Sequence, residues 1–398
     1  MTSAGNQVKG FSFATAIAGI KQTKRPDCGL IFSEVPAACA GVFTRNQVVA
    51  APLQITRPRV LRGTCQAVLV NSGNANACTG AAGLKTAQQN GKTLAVALGI
   101  DEELIALAST GVIGVQLPGA RLDAVVPHLV KERTADKAVA VAEAIMTTDM
   151  FSKTSVARLQ TPGQNGTILG IAKGAGMIHP NMATMLGFVL TDANISAPLL
   201  QSCLKIAVEQ SFNSITVDGD TSTNDMVLLL ANGQAGEEEI LPQTPAAADF
   251  QLQLNSVLLD LAKMIVRDGE GATKLVQIHV RGARSAAEAK EAARSVATSS
   301  LVKTAFFGED ANWGRIIAAL GYSNAEVDAE RVDIFFDQVQ VVSAGIGTGP
   351  EQESLATEVL RRKEFCVILD LYLGDGTSDY YTSDLTYEYI KINADYRT

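Results

Sequence analysis

The sequence predicts a layered α/β fold with mixed sheets stacked between helices. Three observations carry that expectation. Short apolar runs of strand length alternate with helical-period stretches in both halves of the chain. There is no sustained βαβ rhythm and no repeat of fixed period. With 47% hydrophobic and 19% charged residues, the 398-residue chain has the composition of a well-buried protein and the length of two lobes.

Taken in order, residues 10–60 alternate apolar runs with turn residues and read as several strands: Phe11 to Ile17, Cys28 to Phe32, Ala38 to Thr44 and Val48 to Ile55. Gln66 to Val70 is a strand that enters a loop, Asn71 to Asn76. A helix follows through Ala87, Leu94 and Leu98. Leu104 to Ala108 is a strand, Ser109-Thr110-Gly111 a loop, and Leu122 to Ala144 a helical stretch broken at Pro127. Strands are expected over Ser155 to Leu159, Thr167 to Ala172 and Met185 to Leu190. The face Leu199, Leu200, Cys203, Leu204, Ala207, Val208 marks a helix. The loop Asp218 to Asp225 then leads into a strand over Met226 to Leu230. Further on, helices are expected over 246–266, 286–297 and 316–320, and strands over 275–280, 332–336, 339–342, 365–373 and 387–393.

Composition excludes several classes of function. Aromatic residues are 5% and the net charge is −8, which disfavours nucleic-acid binding. Recognition of an anionic substrate must therefore be local rather than through the overall field. No run of 18 apolar residues spans a membrane, and the N-terminus lacks a signal-peptide pattern. Six scattered cysteines without a CxxC pair read as free, mostly buried thiols, so a cytoplasmic location is expected.

Familiar motifs fail in turn. There is no GxxxxGK[ST] and no GxSxG. Gly345 to Gly349 lacks the sixth-position glycine of a nucleotide fingerprint and a following helical pattern, and reads as a turn. The loop from Asp218 has calcium-type spacing, but its glycine position is Thr223 and its twelfth position is Leu229. Three histidines without HxxxH make a zinc site improbable, so no metal is expected.

What remains is the stretch KGAGMIHPNMATMLGFVL, Lys173 to Leu190, where a Gly- and Pro-containing turn delivers Thr184 to the mouth of an apolar strand. A hydroxyl in such a place is by default a hydrogen-bonded structural group. It can serve as a nucleophile without histidine if the chain is cut just before it, because the freed α-amino group then acts as base. That group titrates at about 7.7–8.0, near working pH. The bond between Ala183 and Thr184 suits such a self-cleavage.

Seven segments, in order, resemble the ornithine acetyltransferase (glutamate N-acetyltransferase) family of arginine biosynthesis. They are VNSGNANACTG (70–80), STGVIG (109–114), MTTD (146–149), KGAGMIHPNMATML (173–186), VDGDTSTND (217–225), GEDANWGR (308–315) and KINADYRT (391–398). The resemblance implies cleavage into an α chain, residues 1–183, and a β chain, residues 184–398, which pair again into an α2β2 assembly. The fold it implies is a sandwich related to β-aminopeptidases with an N-terminal nucleophile. It makes Thr184 the nucleophile and places Thr110 and Gly111 in the oxyanion hole. Thr147, Lys173, Thr184, Glu270, Asn393 and Thr398 match substrate-binding positions. The implied substrates are N-acetylornithine, ornithine and glutamate, with no cofactor, and acetyl-CoA as an alternative donor in bifunctional members. Chemistry supports these roles: Lys173 and hydroxyl or amide donors suit an α-carboxylate, and Glu270 suits the cationic side chain of ornithine. The rival expectations are an N-terminal-nucleophile aminopeptidase or amidohydrolase and, from another class, an uncut amino-acid-binding protein.

Overall fold

The computed structural model describes residues 7–179, 185–236 and 238–395. The first half runs β1 (Phe11–Ala16), β2 (Cys28–Phe43), α1 (Ala51–Val60), β3 (Thr64–Asn74), α2 (Gly80–Leu98), β4 (Ile105–Val112), α3 (Gly119–Lys131) and α4 (Ala138–Ala144). Next come β5 (Lys153–Arg158), β6 (Thr167–Lys173), β7 (Leu186–Thr191), α5 (Ala197–Glu209), β8 (Ile215–Thr216), β9 (Met226–Ala231) and α6 (Pro245–Arg267). The C-terminal part is β10 (Leu275–Ala283), α7 (Ala286–Thr298), α8 (Ser300–Phe307), α9 (Trp313–Gly321), β11 (Asp333–Phe336) and β12 (Val339–Ser343). It closes with β13 (Ile346–Gly347), α10 (Pro350–Leu360), β14 (Glu364–Asp370), β15 (Gly376–Ser383) and α11 (Tyr387–Asp395).

Among the described residues these strands make two mixed sheets. The first has the order β4-β3-β2-β9-β7-β6-β5, with β1 also paired to β2; the second has β13-β12-β11-β14-β10-β15-β8. Central strands β7 and β9 are buried along their whole lengths, which is why LGFVLT and MVLLLA read as continuous rather than alternating apolar runs. One core joins a face of the first sheet to α5, α6 and to Leu275 and Tyr381 of the second sheet. Helices α7, α8, α9 and α10 cover the far side of the second sheet, while α1 and α4, together with α2 and α3, cover the first. Layered α/β architecture is therefore what the chain adopts. Residues from both sides of position 184 share the first sheet, with β7 and β9 lying between β2 and β6.

Some elements differ from the sequence expectation. Val48 to Ile55 is not a strand: Pro52 opens α1, a place proline favours because its missing N–H would be unpaired there anyway. The two runs before it are one strand, β2, whose pairing with β3 slips between Phe32 and Ala37, where Pro36 lacks a ladder N–H. The helical stretch 122–144 breaks at 132–137, after α3, which keeps Pro127 inside. Residues 387–393 form α11, a helix rather than a strand. A helix also follows the glycine turn at 345–349, beginning at Pro350.

Candidate functional site

The residue after β3 and the end of β4 meet the residues just before β9 in a seam. Asn224 closes this seam, its side-chain N–H groups donating to the carbonyls of Ala75 (2.6 Å) and Ser109 (2.8 Å). Thr110 and Gly111 do not form a loop after β4 but its last turns of strand, parallel to Ser72 and Gly73. Gly111 has φ +130°, and a Cβ there would lie 2.4 Å from the Gly73 carbonyl carbon. Two glycine backbones touch, which no side chain would permit.

Around this seam is a cavity of about 240 Å³. Its walls include Thr110, Gly111, Thr147, Lys173, Glu270 and Asn393, every described residue that the sequence singled out. Met185, which directly follows Thr184, lines the same cavity. Thr184, Ala183 and Thr398 lie outside the described residues.

At one end Lys173, the last residue of β6, is buried and donates to the hydroxyls of Thr147 (2.8 Å) and Thr110 (3.4 Å). A hydroxyl that accepts from an ammonium keeps its own proton free to donate. Behind Lys173 stands Asp149, whose carboxylate is 3.8 Å from the ammonium and accepts from the N–H groups of Thr147 (2.9 Å) and Gly174 (2.7 Å). Lys153, wholly buried, bridges Asp149 at 2.8 Å and Asp268 at a shorter contact. Burial alone would raise the Asp149 carboxyl, but the charges of Lys173 and Lys153, the Lys153 hydrogen bond and the Thr147 N–H outweigh it and hold it well below the usual carboxylate range. For Asp268 burial prevails over Lys153 and the carboxyl is raised. Two cations and two carboxylates make a closed, neutral cluster.

At the other end Glu270 is buried just past α6. Its backbone N–H donates to the Ala175 carbonyl (2.9 Å), and Asn393 of α11 donates to its carboxylate at 2.8 Å. Gly176 makes room for it, since a Cβ there would sit 2.4 Å from the Glu270 carboxyl group. Because α11 is a helix, Tyr389 and Asn393 are one turn apart, about 6 Å, and both reach the cavity; in a strand they would be about 13 Å apart. Asp218, Asp220 and Asp225 make the remaining wall acidic. Burial raises the Asp218 carboxyl despite the N–H groups it accepts from Met177 (2.6 Å) and Ile178 (2.8 Å). Asp225 is pushed well up by burial, and its Oδ2 finds no hydrogen-bond partner among the described residues.

Sequence reasoning missed Asp149, Lys153 and Asp268 as site-building groups, and Asn224 as the clasp. Asp149 and Asn224 stand in quoted segments, but nothing in the spacing reveals that Lys153 and Asp268, 115 residues apart, form a buried ion pair.

The sequence profile of the ArgJ family matches residues 12–398. The chain belongs to that family. It is 60% identical over 392 residues to the "Arginine biosynthesis bifunctional protein ArgJ" of Syntrophotalea carbinolica, covering 98% of this chain and 100% of that one. The protein of the same name from Geobacter sulfurreducens is 53% identical with the same coverage. Among solved structures, a crystal structure of the arginine biosynthesis bifunctional protein argJ from Bacillus halodurans is 46% identical with a TM-score of 0.51. That match covers 52% of this chain and 98% of the other. Among the described residues no helix is long and apolar enough to cross a membrane.

Proposed function

We propose that this protein is a self-processing acetyltransferase of arginine biosynthesis that moves acetyl from N-acetylornithine to glutamate through an acetyl group carried on Thr184. The observation that carries the reading is the single cavity in which a buried cation, a buried carboxylate, two threonines and a glycine converge beside Met185. Lys173 and Thr147 hold the α-carboxylate common to both substrates. Glu270, held by Asn393, takes the side-chain ammonium of ornithine. Thr110 and Gly111 supply the hydroxyl and N–H that meet the developing oxyanion.

The Thr184 hydroxyl first attacks the Ala183 carbonyl; the acyl group passes from nitrogen to oxygen, and water hydrolyses the ester. The new α-amino group then takes the hydroxyl proton as Thr184 attacks the acetyl carbonyl of N-acetylornithine. Collapse expels ornithine, whose amine collects that proton. The glutamate amine attacks the acetyl-threonine carbonyl, its proton passes through the Thr184 α-amino group to the Thr184 oxygen as the C–O bond breaks, and N-acetylglutamate leaves. No step requires a metal or redox cofactor, and acetyl-CoA fits as a second donor to the same hydroxyl. Residues 1–183 and 184–398 remain together because both contribute strands to one sheet, and two such pairs assemble as α2β2 in the cytoplasm. The half-length match to the Bacillus halodurans chain agrees with a product polypeptide about half as long as this one.

A denaturing gel tests the cut: two fragments of similar size are expected, and one band at 41.8 kDa overturns self-processing. Thr184→Ala is expected to stay whole and inactive. Donor assays with N-acetylornithine and with acetyl-CoA, using glutamate as acceptor, test the transfer. Release of acetate with no N-acetylglutamate formed would make water the acceptor and the protein a hydrolase.

A further inference from the structure

The two ends of the cavity belong to different segments, joined by the Glu270 N–H donating to the Ala175 carbonyl (2.9 Å) and by the buried ion cluster. Lys173 ends β6, Thr147 lies in the loop before β5, and Glu270 follows α6. Asp149 binds the backbone of the first two segments through Gly174 and Thr147. Asp268, two residues before Glu270, accepts the Met150 N–H on both oxygens at 3.1 Å. Lys153 sits between the two carboxylates, fully buried, with Phe151 across it at 4.9 Å from ring centroid to ammonium. None of Asp149, Lys153 and Asp268 lines the cavity. The chain Lys173–Asp149–Lys153–Asp268–Glu270 therefore runs behind the wall from its cationic end to its anionic end.

We propose that the Asp149–Lys153–Asp268 triad is a positioning device that fixes the separation of Lys173 from Glu270 and so sets which side-chain length of α,ω-diamino acid the cavity accepts. The inference rests on the reading above, in which the α-carboxylate lies at Lys173 and the distal ammonium at Glu270. A ligand charged at both ends must match that span, and one methylene of mismatch is typically worth about 10–200-fold in discrimination. Free surface charges would hold such a span loosely. A buried ammonium with two carboxylates cannot drift without exposing an unpaired charge to a dry interior.

The test uses the full-length enzyme and the N²-acetyl derivatives of 2,4-diaminobutyrate, ornithine and lysine, with glutamate as acceptor. Wild type is expected to prefer one length by at least about tenfold in kcat/KM. Asp268→Asn keeps the shape and the Lys153–Asp149 pair but loosens the Glu270 side. It is expected to cut that preference at least about fivefold through the donor KM, with kcat on the preferred donor within about threefold. Asp268→Glu keeps the charge and displaces the end of α6, so the preferred length is expected to change; a purely structural role would leave the preference as in wild type. A folded Asp268→Asn enzyme with unaltered preference overturns the proposal. If wild type transfers acetyl from none of the three donors, the functional reading fails instead. Calorimetric binding of the three free diamino acids then decides the positioning role. Equal wild-type affinities overturn it, and a preference lost in Asp268→Asn upholds it.

Discussion

The two ends of the cavity are built on different principles. The Lys173 end rests on charge locked into the core: Lys153 is wholly buried, and Asp149 and Asp268 are almost so. The Glu270 end faces α11, a helix without a single buried residue, through one amide of an exposed asparagine. Buried ions fix geometry at the risk of a large penalty if one partner is lost, whereas a surface helix can be altered at little cost to the fold. The groups around the cavity thus split into buried ions behind its wall, whose removal breaks the protein, and a surface amide, whose removal only weakens a contact.

Lys153→Met is the strongest way to break this contrast. It leaves two carboxylates facing one another in the interior, and a loss of about 3–5 kcal/mol in urea unfolding is expected; a loss below 1 kcal/mol would show the cluster to be dispensable. Thr110→Val next removes a hydroxyl donor at the seam. A fall of about 10²–10³ in kcat is expected, with unchanged stability. Asn393→Ala should act at the soft end only, raising the donor KM about tenfold while Tm stays put, in keeping with the typical value of a hydrogen bond to a charged group. A large drop in Tm there would show that α11 is structural after all.

The smallest effect concerns another buried lysine, one that does not line the cavity. Lys303 donates to Thr382 (2.9 Å) and Ser383 (3.2 Å), and burial pulls its pKa down to about 7 against a usual 10.5, opposed by Asp384 and Asp218. The unfolded chain therefore binds more protons than the folded one between about pH 7 and 10.5, and stability from this group rises with pH across that window. Lys303→Met should flatten that rise, which chemical denaturation at pH 7 and pH 9 would measure. An identical pH slope in the variant would remove Lys303 as its source.

Much of the fold was legible because central strands are apolar runs and helices carry a periodic face, as in β7, β9, α5 and α6. The errors fell where local signals conflict. Tyr387 to Asn393 is rich in residues that favour strands, yet its role depends on bringing Tyr389 and Asn393 within one helical turn of each other. Val48 to Ile55 looked extended until Pro52 is recognised as a helix start.

By itself the sequence determined most of the element types, the apolar centre of the first sheet and, through resemblance, most of the described residues that gather in one cavity. Local periodicity and motif order are properties of neighbours along the chain, so they survive without a fold. Only the tertiary structure decided that Lys173 and Glu270 are buried rather than solvated, that Asn224 clasps β3 to β4, and that Lys153 joins Asp149 to Asp268. Those facts depend on which strands lie side by side and where α6 ends. The balance between a buried charge and its distant partner is set in space, not in sequence.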